Sequence, residues 1–299
     1  MATHTLAPVE NRTGAAAAGR WLAAGVAVLV AGASAAGLWA PGLYTDAAAV
    51  VAMFRGYDLV TLAVVAPLLA STVLPGWRDR PAVQLLRISM LAYCIYNYAY
   101  YLFGAQLNAA LLVHIAIFTA SLYALVLSLV ALDVSAVAAR FRPGTPVRAV
   151  AVILLVLGVP LAAIQVSGLA GFALTGAVPH EPSQLVVPLG FTRLGAVLDL
   201  SLLVPAYLLA AVWLWRRRAW GYLVATLVLV AGFMHQVSYI TGMLFQIAAD
   251  IPGAAFDPFE PFVVGLFATG GGLLVGNLRP ATPETASAAP DRTPVIARP

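Results

Sequence analysis

Eight apolar runs, each about 20 residues long, occupy most of this chain and are separated by short polar segments. They fall at approximately 21–40, 57–76, 84–104, 109–132, 149–170, 194–214, 220–246 and 261–278. A run of that length crosses the roughly 30 Å hydrocarbon core of a bilayer as an α-helix, in which every backbone polar group is satisfied internally. The expected fold is therefore all-α, a polytopic transmembrane helix bundle whose first partner is the lipid bilayer. Composition agrees. Hydrophobic residues make up 62% of the chain and charged residues 9%, where a soluble domain carries roughly a quarter charged.

The charges between the runs alternate by side. Arg12 and Arg20 precede the first run, Arg78 and Arg80 follow the second, and Arg140, Arg142 and Arg148 follow the fourth. Arg216, Arg217 and Arg218 follow the sixth, and Arg279 follows the eighth. The remaining loops carry Asp46, His180, Glu181, Asp250, Asp257 and Glu260. The positive-inside rule then places both termini in the cytoplasm of a cell whose cytoplasmic membrane holds the chain. Residues 1–20 form a cytoplasmic N-terminal segment. Residues 280–299, rich in proline, alanine and threonine, form a cytoplasmic tail expected to be disordered. A basic start, an apolar core and the small residues AGASAAG also fit a cleavable signal peptide, a reading weakened by the repeat described next.

Shifted by 138 residues, the chain aligns with itself without a gap from Pro41 to Gly104. Pro41 meets Pro179, Arg55 meets Arg193, Pro67 meets Pro205, Trp77-Arg78 meets Trp215-Arg216, Tyr101 meets Tyr239 and Gly104 meets Gly242. The first run then has a counterpart in the fifth. The organisation expected is a first four-helix repeat over 21–140 and a second over 141–279. An even number of crossings makes the two parallel, related by an axis along the membrane normal.

Several function classes drop out. The chain has no lysine, so a retinal-type Schiff base is excluded. Its one cysteine, Cys94, excludes an internal disulfide and paired-thiol chemistry. The net charge of +4 comes from arginines at helix ends rather than a patch that tracks phosphates, so no nucleic acid partner is expected. Glycines 270–272 lack the lysine and spacing of a phosphate loop and fit close helix contact.

Polar side chains inside the runs cost a few kcal/mol in hydrocarbon and so invite a functional reading. In the third run, Tyr93, Asn97, Tyr100/Tyr101 and Gly104 recur at helical spacing; in the seventh, Gly232, His235, Tyr239, Gly242 and Gln246 do the same. Asn97 and His235 are repeat equivalents. Arg55 and Asp58 begin the second run, Arg193 and Asp199 the sixth, and His114 sits one turn inside the fourth. By the topology above, Asp58, Asn97, His114, Asp199 and Tyr239 fall in the outer half of the bilayer and His235 near its middle, and the inner half holds little beyond Ser89, Ser128 and Thr226. The expectation is one outward-facing polar cavity binding a small ligand through Asp58, Tyr93, Asn97, Tyr101, His114, Asp199, His235 and Tyr239. The two aspartates would hold a cation or proton, and the amide, imidazole and phenol would orient a solute. Each residue also has a plainer use. Asn97 and His235 serve as interhelical hydrogen-bonding groups, the aspartates pair with the nearby arginines, His114 packs, and Tyr98 anchors at the interface.

Three functions fit this pattern: a permease or binding protein, a membrane enzyme or redox subunit acting on a lipid or quinone at the outer leaflet, and a structural or assembly protein. The second includes a variant with His114 and His235 as axial haem ligands; otherwise the cofactor is unknown and no metal is expected. The segments GYDLVTLAVVAPLL, YNYAYYLFGAQLN, LDLSLLVPAYLL and WRRRAWGYL resemble those of a group of uncharacterised bacterial eight-span membrane proteins. That resemblance covers Pro41 to Arg279 and implies an architecture without an activity.

Overall fold

The computed structural model describes residues 9–176 and 185–279. Within them the chain is helical throughout, and no strand forms beyond one isolated antiparallel bridge between Phe141 and Leu278. The helices are α1 Val9–Trp39, α2 Ala48–Ser71, α3 Pro81–Phe103, α4 Leu111–Ala131, a short α5 Val134–Ala138, α6 Val147–Thr175, α7 Leu189–Trp215, α8 Ala219–Ala248 and α9 Glu260–Val275. Local chemistry sets several ends. Pro81 opens α3 where a missing N–H costs nothing, the Asp133 carboxylate caps α5 by accepting from the Ala136 amide at 2.9 Å, and Gly176 closes α6 at φ +71°. Residues 1–8, the tail 280–299, and His180 and Glu181 lie outside the described residues. The segment expected at 1–20 is helical from Val9 onward.

Six helices, α1, α2, α4, α6, α7 and α8, are long and apolar enough to cross a membrane. Two of the eight expected spans differ. The helix α3 has 23 residues but carries Gln84, Arg87, Asn97 and five tyrosines. It is packed on several sides by protein rather than lipid, so its side chains answer to neighbouring helices. The helix α9 is apolar but has 16 residues, about 24 Å at 1.5 Å per residue.

α1 lies along α2 and α4, α3 packs between α4 and α8, α2 crosses α8, and α6, α7, α8 and α9 pack in a second group. One apolar core draws chiefly on α1 to α4, with Val26, Phe54, Leu91 and Ile117 fully buried. The other draws chiefly on α6 to α9, with Val150, Leu154, Leu214 and Leu229. The α2–α8 crossing is close enough that a Cβ on Gly56 would lie 2.6 Å from Gly242 Cα, a contact only glycine permits.

Both α2 and α7 contain one π-helical turn, Thr61–Val65 and Asp199–Leu203. Each ends two residues before a proline, Pro67 or Pro205. A proline inside a helix lacks an N–H and crowds the carbonyl one turn back, and a wider turn relieves both. The two turns start 138 residues apart, the offset of the sequence alignment.

The arginine-bearing segments gather at one end of the bundle. Arg20 pairs with Asp79 at 3.7 Å, and the 140–142 strand of chain binds 277–279 through backbone bonds of 3.0 Å. Arg217 donates to Pro143 O at 3.3 Å, and the Arg148 guanidinium lies over Trp215. At the other end, Thr45 donates to Leu107 O and the Gln106 amide to Asp46. Arg55 and Arg193, in the early turns of α2 and α7, lie toward this other end. Arg87, in the second turn of α3, is buried and donates to Thr72 O at 3.4 Å.

Candidate ligand-binding cavity

The tyrosines of α3 divide between its faces, because each residue advances the helix by 100°. Tyr93, Asn97 and Tyr101 share the face toward α2. The Tyr93 hydroxyl sits 2.9 Å from Thr61 Oγ1 and 2.8 Å from Ser238 Oγ, joining α2, α3 and α8. Since Ser238 donates to Met234 O, its oxygen accepts from Tyr93, which accepts from Thr61. Tyr101 lies 3.1 Å from Asp58 Oδ1 and 3.3 Å from Phe54 O.

Asp58 is 1% exposed and accepts a second hydrogen bond from Tyr44 at 2.6 Å. Its partners are phenols, and no ion pair to Arg55 forms. Gly37 of α1 closes this compartment, where a Cβ would collide with the Asp58 carboxylate. His114 belongs here, with its ring 4.9 Å from Tyr101 and 5.6 Å from Tyr98 and neither nitrogen hydrogen-bonded. Tyr98, expected as an interfacial anchor, is instead 1% exposed and packed on Tyr101 and His114. Two residues on from Tyr96, about 200° around the helix, it turns inward toward α4.

On the adjoining side of α3, Tyr96 and Tyr100 border, together with Tyr93, a cavity of about 710 Å³ lined also by α2, α6, α7, α8 and α9. Asp199, the first residue of the α7 π turn, accepts from Tyr96 at 2.7 Å and from Gln165 of α6 at 2.9 Å. The His235 ring lines the same space, 4.6 Å edge-on from Tyr96 and 6.3 Å stacked on Tyr100, with Nδ1 unpartnered. Gln236 donates to Glu260 at the mouth. Toward the arginine-bearing end the walls become Leu157, Leu161, Leu203, Leu227, Val228 and Phe267. The cavity thus has a polar level and an apolar base, and its volume falls in the range of small-molecule sites.

The eight expected residues therefore separate. Tyr93, Asp199, His235 and Tyr239 line the cavity, while Asp58, Tyr101 and His114 form the closed compartment on the other side of α3. Asn97 belongs to neither. It is fully buried, and both amide atoms lack a hydrogen-bond partner. Repeat equivalence matched Asn97 and His235 in depth, but facing is set by rotation, and it is Tyr96 that stands against His235. His114 and His235 lie on opposite sides of α3, so the cavity does not offer them as a facing ligand pair. Tyr44, Tyr57, Tyr96, Gln165 and the Gln236–Glu260 pair enter without an individual sequence expectation behind them, and Tyr100 has a place on the polar stripe of the third run but no expected role. Gln165 carries a legible signal, as the one amide in the fifth run. Gln246 is structural, its amide bound to the backbone of Ala49 and Val186. Among the described residues no three His, Cys, Asp or Glu side chains come together as metal ligands.

Compared with family models, curated proteins and solved structures, the chain finds no match.

Proposed function

We propose that this is an eight-span protein of the cytoplasmic membrane that binds a small amphipathic ligand in the cavity between α3, α7 and α8, reached from the extracytoplasmic side, as a binding protein or the recognition step of a transporter. The observation that carries the reading is the cavity of about 710 Å³ itself, with Asp199, Tyr96, Gln165 and His235 at one level above an apolar base. A packed helix bundle seldom leaves a space of that size between helices unless something fills it.

Two parallel four-helix repeats, 21–140 and 141–279, account for features beyond the sequence alignment. The π turns fall at the same offset of 138 residues. So does a pair of contacts between the halves. A Cβ on Gly242 would touch Met53, and one on Gly104 would touch Phe191; Met53 and Phe191 are equivalent, as are Gly104 and Gly242. The symmetry breaks where Gly56 seats α2 against Gly242 of α8, since the equivalent of Gly56 is Leu194. With most of the arginines at the opposite end, the positive-inside rule puts both termini in the cytoplasm and the cavity in the outer half. Its rim carries Phe172, Phe259 and Phe262, each at least half exposed, which suits a ligand arriving from the outer leaflet or its surface.

The test is native mass spectrometry of the protein purified in lipid nanodiscs, beside the cavity-filling variant Ala231→Trp. The wild type is expected to carry a small-molecule adduct, or to gain thermal stability with an amphiphile, that the variant lacks. Identical behaviour of the two proteins across a panel of charged and neutral amphiphiles would overturn the proposal.

A further inference from the structure

The ionisable groups of the cavity are unbalanced. Asp199 lies in its wall and Asp257 and Glu260 line its mouth, while the basic side chains among the lining residues described are Arg193 and the imidazole of His235. Arg193 precedes Asp199 by six residues on α7, about 9 Å along the helix axis. No ion pair joins it to any of the three acids; the pairs formed among the described residues are Arg20–Asp79 and Arg78–Asp79. The partners of Asp199 are the neutral Tyr96 and Gln165, and the partner of Glu260 is the neutral Gln236. Hydrogen bonds of this kind orient a carboxyl group without supplying a positive charge to face it.

Around Asp199 the walls offer aromatic faces. Tyr96 and Tyr100 meet edge to face at 5.7 Å, and the His235 ring lies edge-on to both Tyr57 and Tyr96. Aromatic rings beside a carboxylate attract an organic cation through the negative faces of the rings and the charge of the acid together. A strongly hydrated metal ion has no use for the Leu- and Val-lined base, an anion meets three acids, and a neutral amphiphile leaves them uncompensated. Resting on the cavity reading above, the geometry points to an amphipathic organic cation as the class of ligand, its charged centre near Asp199 and its apolar body in the base.

An isosteric pair of probes separates charge from shape: tetraphenylphosphonium and tetraphenylborate, measured for equilibrium binding to the protein in zwitterionic nanodiscs. The wild type is expected to bind the phosphonium saturably and at least about tenfold more tightly than the borate, and Asp199→Asn to lose about tenfold for the phosphonium alone. Ala231→Trp removes the saturable component and fixes the background of bilayer partitioning. If Asp199→Asn does not fold, Glu260→Gln at the mouth serves instead, with an expected loss of about twofold to threefold for the cation. Equal binding of both ions, or preference for the borate, overturns the cationic class. If both bind equally and Ala231→Trp abolishes both, the cavity reading survives that failure. If neither binds saturably, the cationic class fails, and the adduct comparison alone decides the cavity.

Discussion

Tyr93 and Asn97 stand one turn apart on the same face of α3 and differ in what their burial costs. The Tyr93 hydroxyl is held between Thr61 and Ser238, whereas neither amide atom of Asn97 has a partner. Removing a bonded group strands its partners, but replacing an unbonded one by an apolar side chain removes a desolvation penalty. Tyr93→Phe should therefore destabilise by about 1 kcal/mol, the usual scale for such bonds between membrane helices. Asn97→Leu should be neutral within about 0.5 kcal/mol or stabilising. Reversible unfolding in one detergent measures both. If Asn97→Leu proves the more damaging, Asn97 has a partner of its own. Around Asp58, Tyr44→Phe and Tyr101→Phe should each destabilise by about 1 kcal/mol, and less than additively in the double variant, since both phenols serve one carboxylate. An aspartate or histidine is conspicuous in an apolar run, so Asp58, His114, Asp199 and His235 could be singled out one by one in the sequence. Their facing was poorly resolved there. Asp58 and Asp199 share an end of the bundle but lie on opposite sides of α3, and a one-residue step from Asn97 to Tyr96 changes which compartment a side chain enters.

At the scale of elements, hydropathy located all eight helices, but α3 is too polar and α9, at 16 residues, too short to qualify as a span by length and composition as the other six do. The π turns were half legible. Pro67 and Pro205 announced a local disturbance at matching depths, but nothing in the residues distinguishes a kink from a wider turn. The contact that fixes how the halves meet is the α2–α8 crossing, where Gly56 and Gly242 bring two backbones together. A side chain at Gly56 forces those backbones apart, so Gly56→Leu should cost about 2 kcal/mol or more, at the upper range of overpacking effects. Gly25 on α1 supplies the control. It is exposed, with no atom within 4 Å of where its Cβ would sit, and Gly25→Leu should leave thermal unfolding in detergent unchanged or slightly raised. Equal loss in both variants would mean that helix propensity or insertion, not the crossing, governs the response.

For the whole molecule, the proposed eight-span architecture makes a claim about sidedness that each loop can test separately. The single native cysteine, Cys94, is fully buried, so the wild type provides an unlabelled background for introduced thiols. Thr45→Cys and Leu107→Cys place a thiol at the exposed end opposite the arginines, and Asp79→Cys and Gly144→Cys place one among them. A membrane-impermeant maleimide should label the first two in intact cells and the second two only after permeabilisation. The comparison of Asp79 with Leu107 asks specifically whether α3 crosses, since these positions flank it. If α3 lay within one leaflet, both would react from the same side. Ala255→Cys against Arg279→Cys puts the same question to α9, whose 16 residues span about 24 Å, against a core of roughly 30 Å. A helix that short crosses only where the bilayer thins around it or where flanking residues such as Asn277 and Arg279 reach the head groups. Labelling of Arg279→Cys from outside would remove the eighth crossing and with it the pairing of the fourth and eighth spans. Labelling confined to permeabilised cells places α9 across the membrane and closes the second repeat.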